Sequence, residues 1–508
     1  MKGSLRNPCA LPLKDVPILE PSDFRHQIIC GVESEGRRIA SYFALDAADH
    51  VRDVTPLFAV LADDEGGRLH LIRTLIRADS FESIVSIVPQ AHLFEREIAE
   101  QYGLRPEGHP WLKPVRFHHS YRIGRDAWGR SPAEPISPGV MDFFIVAGTE
   151  VHEVAVGPVH AGVIEPGHFR FQCHGEHVFH LEIALGYQHR GIEQAIVGGP
   201  TKRTIHYMET AAGDTTIGHT LAYAHAVEAL GSTRITARAQ ALRGIALEFE
   251  RLANHTGDLG ALAGDVAYLP TASFCGRLRG DFLNMTAELC GSRFGRGLVR
   301  PGGVGFDIDR AHIDGLRSRL LRAREELTEA VELLWDTPTV VERFENTGTI
   351  TREVAQQIGL VGPAARACGL LRDVRHDFPS GIYRFVHLPA MTAHHGDVNS
   401  RAFVRWLEIQ QSIHFILDQL DALPPGPTAS GAGSLAPESV AVALVEGWRG
   451  EVCHVAITDA AGRFSRYKIT DPSFHNWFGL ALALRDGQIS DFPLCNKSFN
   501  LSYCGHDL

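Results

Sequence analysis

Glutamate and histidine fall together in one stretch of the chain, in a form suited to moving protons. Gly157-Pro158-Val159-His160-Ala161-Gly162 runs into Val163-Ile164-Glu165-Pro166-Gly167-His168-Phe169-Arg170-Phe171. Partly buried carboxyl and imidazole groups exchange protons near neutral pH, so Glu165, His160 and His168 are candidates for a relay. The plainer reading is a polar loop that bonds its own backbone. A second stretch, Gly186 to Gly231, opens with His189-Arg190-Gly191-Ile192-Glu193 and closes in an Ala-rich helical run from His219 to Leu230. Between them Ala211-Ala212-Gly213-Asp214-Thr215-Thr216 carries one acid among small residues, and Asp214 could cap the helix before Ile217. Thiolate chemistry is not indicated. The nine cysteines (Cys9, Cys30, Cys173, Cys275, Cys290, Cys368, Cys453, Cys495 and Cys504) form no C-x-x-C pair. Iron–sulfur and zinc sites rely on grouped ligands, so these residues read as reduced, buried small side chains.

At 508 residues, about two to four domains must position these groups. With 44% hydrophobic and 21% charged residues the composition is that of a soluble globular protein. A net charge of -11 argues against binding nucleic acid through a global positive field. No apolar run approaches the ~18–20 residues that span a bilayer, and the N-terminus lacks the apolar stretch of a signal peptide. A cytoplasmic protein held to any membrane through other proteins is expected.

In chain order, residues 1 to about 25 are Pro-rich and read as an arm or a poorly ordered tail. Arg37-Leu45, Pro56-Ala62 and Arg68-Ile76 read as strands, the last two joined as a hairpin through Asp63-Asp64-Glu65-Gly66-Gly67. Residues 80–104 carry helical periodicity interrupted by Pro89. A small α+β domain over 25–122 follows, then a Gly/Pro-rich linker over 123–140 and a larger domain over 141–508. In the larger domain, strands should flank the Glu165 loop. Thr236 to Asp258 reads as a long helix with Ala239, Leu242, Ile245, Phe249 and Leu252 on its apolar face. Glu248, Arg251, His255 and Asp258 form a second stripe, either a solvated face or an internal polar seam. Ala311 to Trp335 is amphipathic and reads as core, another helix begins at Gly396-Asp397, and Leu423 to Glu438 is a loop.

Several motifs resemble the family that contains the large subunits of membrane-bound nickel-iron hydrogenases and the 49 kDa subunit of complex I. They are the G-P-x-H loop, the Gly186–Gly231 stretch, Arg300-Pro301-Gly302-Gly303-Val304, Glu446-Gly447-Trp448-Arg449-Gly450-Glu451 and Asp471-Pro472-Ser473-Phe474. Glu95-Arg96-Glu97 through Gly108-His109-Pro110 is similar to the complex I 30 kDa subunit, so the chain looks like a fusion of the two. The resemblance implies an α-rich second domain with peripheral antiparallel sheet. It also implies an iron–sulfur partner subunit and membrane-embedded complex I-like or antiporter-like partners, at the cytoplasmic face of the cell membrane.

Counting back from His219, the family's first pair of nickel cysteines falls on Ala212 and Thr215, and its quinone tyrosine on Gly213. The C-terminal D-P-C-x-x-C is replaced by Asp491-Phe492-Pro493-Leu494-Cys495, with Cys504 nine residues on. The resemblance assigns Glu165, Asp214, Arg190 and Arg449 to the cavity wall beside His160 and His168. It leaves His189, Glu193, Tyr207 and His219 as candidate binding residues, with Tyr207 the nearest aromatic substitute. No metal and no resident cofactor are expected, and a quinone is the candidate ligand. The expected role is a complex I-like, NADH dehydrogenase-like or hydrogenase-like oxidoreductase subunit. The alternatives are a non-catalytic scaffold and a working nickel-iron hydrogenase.

Overall fold

The computed structural model describes residues 4–45, 54–122, 124–160 and 165–508. Part of the Glu165 loop, residues 161–164, lies outside the described residues. The N-terminal half-sheet is built from Arg38–Ala44, Thr55–Asp63 and Arg68–Ile76, which pair antiparallel in that order. The predicted hairpin closes where Asp63 Oδ1 accepts the Gly66 N–H at 2.8 Å. Helices Pro21–Glu33 and His92–Tyr102 pack apolar residues against this sheet. Helix His92–Tyr102 starts only after Pro89. Ser80–Glu82, which the periodicity placed in a helix, is a short strand parallel to Arg105–Glu107.

The N-terminal arm is ordered, contrary to the sequence expectation. Cys9–Pro12 pairs antiparallel with Ser439–Gly447, adding an outer strand to a sheet more than 400 residues away in sequence. Asn7 anchors it: Nδ2 donates to Phe378 O at 2.7 Å and Leu444 O at 3.0 Å, and Oδ1 accepts the Leu444 N–H at 2.8 Å. The prolines had suggested disorder. An outer strand tolerates them because one side of its backbone needs no ladder bonds.

Two sheets then share one core. Phe43, Phe58 and Leu71 of the first pack against Val442, Leu444 and Val455 of the sheet formed by Ser439–Gly447, Gly450–Thr458 and Phe464–Thr470. The second domain's bundle is centred on Ala237–Asp265, a 29-residue helix that runs seven residues beyond its expected end. Leu269–Cys290, Arg310–Trp335 and Val398–Asp421 complete it. Strands His152–Val156 and His168–His174 flank the Glu165 loop. No helix among the described residues is long and apolar enough to cross a membrane.

The stripe on the long helix is an internal seam, and the solvated-face reading is wrong for it. Glu248, Arg251 and His255 are 0% exposed, and Asp258 is 3%. Glu248 accepts from Arg251, Arg375, Tyr383 and Ser412 at 2.5–3.1 Å. Glu408, on Val398–Asp421, accepts from Arg366 at 2.6 Å and pairs with His255 at 2.8 Å. Burial alone pushes the Glu248 carboxyl up, but the Arg251 and Arg375 charges beside it hold it at about 2. Arg251 also donates to Glu446 O and Gly447 O, so the seam fixes the end of a strand in the second sheet.

Removing one member of this seam strands its partners. Glu408→Ala is expected to cost about 3–5 kcal/mol, because Arg366 and His255 lose their buried acceptor. Glu326→Ala, which breaks an exposed pair with Arg277, should cost under about 1 kcal/mol. Urea midpoints that shift equally in the two variants would contradict this account of the seam.

Candidate functional site

The site forms where the segment before helix Thr216–Leu230 meets the turn between strands Ser439–Gly447 and Gly450–Thr458. That turn presents Trp448 and Arg449. Its approach is tight: Gly362, at φ +66°, touches it, and a Cβ there would lie 2.5 Å from Gly450 Cα. Arg449 is therefore carried by two braced strands, with the ionic seam beneath.

Arg449 and Asp214 form a bidentate ion pair, Nη1 to Oδ1 at 2.6 Å and Nη2 to Oδ2 at 2.7 Å. The remaining guanidinium nitrogen, Nε, donates to Asn500 O at 2.5 Å, and the group lies 3.9 Å from the centroid of the Trp448 ring. Nη1 also reaches Thr215 Oγ1 at 3.3 Å. The backbone of Asp214 is held too, its carbonyl accepting from Trp448 Nε1 and Asn254 Nδ2, each at 3.0 Å. The arginine side chain is 3% exposed and the aspartate 33%, so one face of the pair looks outward. Burial alone would lower the Arg449 pKa, but the Asp214 charge holds it above the ordinary arginine range. Arg449 therefore stays protonated and does not relay protons.

Asp214 does not cap the helix, as the sequence had allowed. Glu250 does that work: its carboxylate accepts the Ile217 N–H at 2.6 Å and the Gly218 N–H at 3.1 Å. Asp214 is then free to meet Arg449. Burial pushes Glu250 up to about 8, the Asp214 charge adding to the shift. Glu165 stands on the other side of the pair, and its Oε2 accepts the Cys504 N–H at 3.2 Å. Burial raises its carboxyl as well, with the Arg449 charge opposing. The Cys504 thiol is raised by burial and by the Glu165 charge.

Of the residues expected at the site, Glu165, Asp214 and Arg449 come together. Arg190 borders them as a clamp: it donates to Thr210 O at 2.6 Å, Ala211 O at 2.9 Å and Cys504 O at 3.0 Å. The small-residue segment is thereby tied to the C-terminal turn. His160 is exposed, and His168 bonds Gly157 O and Arg170 at the start of its strand. His189 bonds Asp507 O at 2.8 Å and stacks on His118. Glu193 is buried between Lys468 and Arg466. Tyr207 sits on helix Thr204–Glu209 and packs against an apolar cluster. His219 bonds Asp471 at 3.0 Å and His454 at 3.1 Å, and His454 in turn bonds Tyr467.

Glu250, Asn254, Trp448, Asn500 and Cys504 were not singled out as site residues in the sequence. Glu250 and Asn254 are four apart on one helix, a spacing that puts both on one side and could have flagged them. Ala212 is buried with no donor atom, and Thr215 offers a hydroxyl already engaged by Arg449 and Asp214. Cys495 lies elsewhere, buried beside Arg401, where burial pushes its thiol up to about 12. Among the described residues no group of three or more His, Cys, Asp or Glu side chains is placed to hold a metal ion.

Comparison with known proteins adds an independent line. Residues 23–125 match the family model of the respiratory-chain NADH dehydrogenase 30 Kd subunit, and residues 265–439 that of the 49 Kd subunit. The carbon monoxide-induced hydrogenase of Rhodospirillum rubrum is 31% identical over 350 residues, 69% of this chain and 97% of that protein. Formate hydrogenlyase subunit 5 of Escherichia coli is 28% identical over 459 residues, 88% of this chain and 81% of that one. NADH-quinone oxidoreductase subunit 4 of Thermus thermophilus is 28% identical over 370 residues, 68% and 90% of the two chains.

Glu250 gives a pH test of the site. Burial pushes its carboxyl up to about 8, against an ordinary value of 4.5, so the folded state holds the proton more tightly. The stability this contributes is fully present below about pH 4.5 and lost as pH rises through about 8, on the order of 5 kcal/mol in all. Glu250→Gln cannot ionise and should flatten that fall, measured as urea midpoints at about pH 5 and pH 8. An equal fall in both proteins would contradict the assignment.

Proposed function

The chain belongs to the family of the complex I 30 kDa and 49 kDa subunits and their hydrogenase relatives, with both domains in one polypeptide, and from that premise we propose a coupling role. It is a subunit of a membrane-associated, complex I-like oxidoreductase that links electron transfer to proton uptake without a nickel-iron centre. Electrons arrive from the iron–sulfur subunit of the same complex, and a quinone or another small acceptor takes them up. The complex is anchored by membrane-embedded partners, with this chain on the cytoplasmic face. The observation that carries this reading is the Arg449–Asp214 pair with Glu165 beside it, in the segment that the resemblance aligns with the family's first pair of nickel ligands.

The chemistry follows from which groups can change charge. Arg449 is a fixed cation, paired with Asp214. Glu165 is a half-buried carboxyl already pushed towards the protonated form. Negative charge arriving nearby favours that form further, so reduction draws a proton onto Glu165. The residues present do not fit a nickel-iron centre. Bridging two metals takes several soft thiolates, whereas this pocket offers one thiol, Cys504, beside a hydroxyl, a carboxylate and a guanidinium.

Glu165→Gln keeps the hydrogen bond to Cys504 but cannot carry a proton. It should lower proton-coupled turnover of the assembled complex at least tenfold, with subunit composition unchanged on a native gel. Full turnover with normal assembly would remove Glu165 from the mechanism. The chain alone should associate or precipitate, because its counterparts in this family work among other subunits. A stable, monodisperse monomer by light scattering would count against that.

A further inference from the structure

A cavity of about 330 Å³ lies between helix His92–Tyr102 of the N-terminal domain and helix Pro472–Ala483 of the second. It is away from the Arg449–Asp214 pair, separated from it by the last helical turn. His506 lines the cavity, while Cys504, two residues earlier, bonds Glu165. The volume is in the range of small-ligand sites. Its walls are largely apolar, with the rings of Trp111, Trp477 and Phe478 among them.

One wall carries a charge with no direct ion pair: the Glu100 and Glu182 carboxylates act on Arg96 only from beyond ion-pairing distance. Arg96 is 9% exposed, and its guanidinium donates only to two carbonyls, Lys113 O at 2.8 Å and Pro114 O at 2.7 Å. No carboxylate lies within ion-pairing distance of it, and Nη1 has no hydrogen-bond partner, among the described residues. Arg38, Arg116, Arg366 and Arg449 are as buried, and each meets a carboxylate. Arg401 also lacks one, but Ser498, Gly396 and Gly348 occupy all three of its nitrogens. A largely buried cation without a direct ion pair, and with a guanidinium nitrogen left open at a cavity wall, is placed to meet an anion there. Lys113 and Glu182, also at this wall, neutralise each other at 2.6 Å. His92, His180 and His506 are pushed down by burial and stay neutral, leaving Arg96 as the buried cation of the wall, with the exposed Arg485 a second cation of the lining. His180 Nε2 is a second unmet group at the same wall, buried without a hydrogen-bond partner.

We propose that this cavity binds a small amphiphilic anion, its apolar or aromatic body among Trp111, Trp477 and Phe478 and its single acid group on Arg96. The site does not depend on the coupling role argued for Glu165 and Asp214. Arg96 and His180 recognise the head, and the aromatic walls accept a flat body without demanding one structure.

The probe is 2-naphthoate, measured by equilibrium dialysis against the full chain, with 2-naphthamide as an uncharged ligand of the same shape. Saturable binding at one site per chain is expected, with the amide at least tenfold weaker. Ala481→Trp, which fills the cavity, should abolish binding. Arg96→Gln should weaken it at least tenfold, and where that variant fails to fold the amide comparison decides the same point. The proposal is overturned if naphthoate does not saturate, if the amide binds as tightly, or if Ala481→Trp binds unchanged.

Discussion

A guanidinium taken out of water needs acceptors on its nitrogens, and the carboxylate that Arg449 finds governs the rest of this molecule. The pair with Asp214 closes a gap between two elements far apart in sequence, the small-residue segment at 211–216 and the turn at 448–450. Each side must be held, because two desolvated charges repay their cost only when geometry and hydrogen bonds are both good. Asn500 takes the third guanidinium nitrogen, Trp448 covers the face, and Asn254 fixes the Asp214 carbonyl. Glu250 caps the helix in place of Asp214, which frees the aspartate for the pair.

The same long helix supplies the support. One side of it carries Glu250 and Asn254 towards the site, and another carries Glu248, Arg251, His255 and Asp258 into the seam. Asp258 completes the loop: it pairs with Arg405 at 2.7 Å and accepts from Asn500 Nδ2 at 2.5 Å, and Asn500 O is the acceptor for Arg449. The seam and the site are thus one connected set of charges. Helix, turn and C-terminal segment cannot be shifted separately without breaking an ion pair or a hydrogen bond to a charged group.

Much of the architecture was legible in the sequence because it rests on local rules. The hairpin at 63–67, the amphipathic helix at 311–335 and the helix beginning at Gly396-Asp397 all follow from spacing and side-chain type. What failed depended on partners distant in sequence. The arm at 4–12 is ordered by a strand starting at Ser439, and nothing in its own composition announces that. The stripe at 248–258 reads equally well as a wet face until Arg366, Arg375 and Glu408 are seen around it. At the site, Glu165, Asp214 and Arg449 were accessible through family motifs, whereas Glu250 and Cys504 gain meaning only from where the chain returns.

The central claim is that an ion pair and a protonatable acid form this site, with no nickel-iron centre in the chain. Nickel and iron content of the purified chain, freed of its iron–sulfur partner, tests it most directly. The whole complex is assayed in parallel for hydrogen-dependent dye reduction. The account predicts neither metal above trace level and no dye reduction. Stoichiometric nickel, or dye reduced by hydrogen, would contradict it.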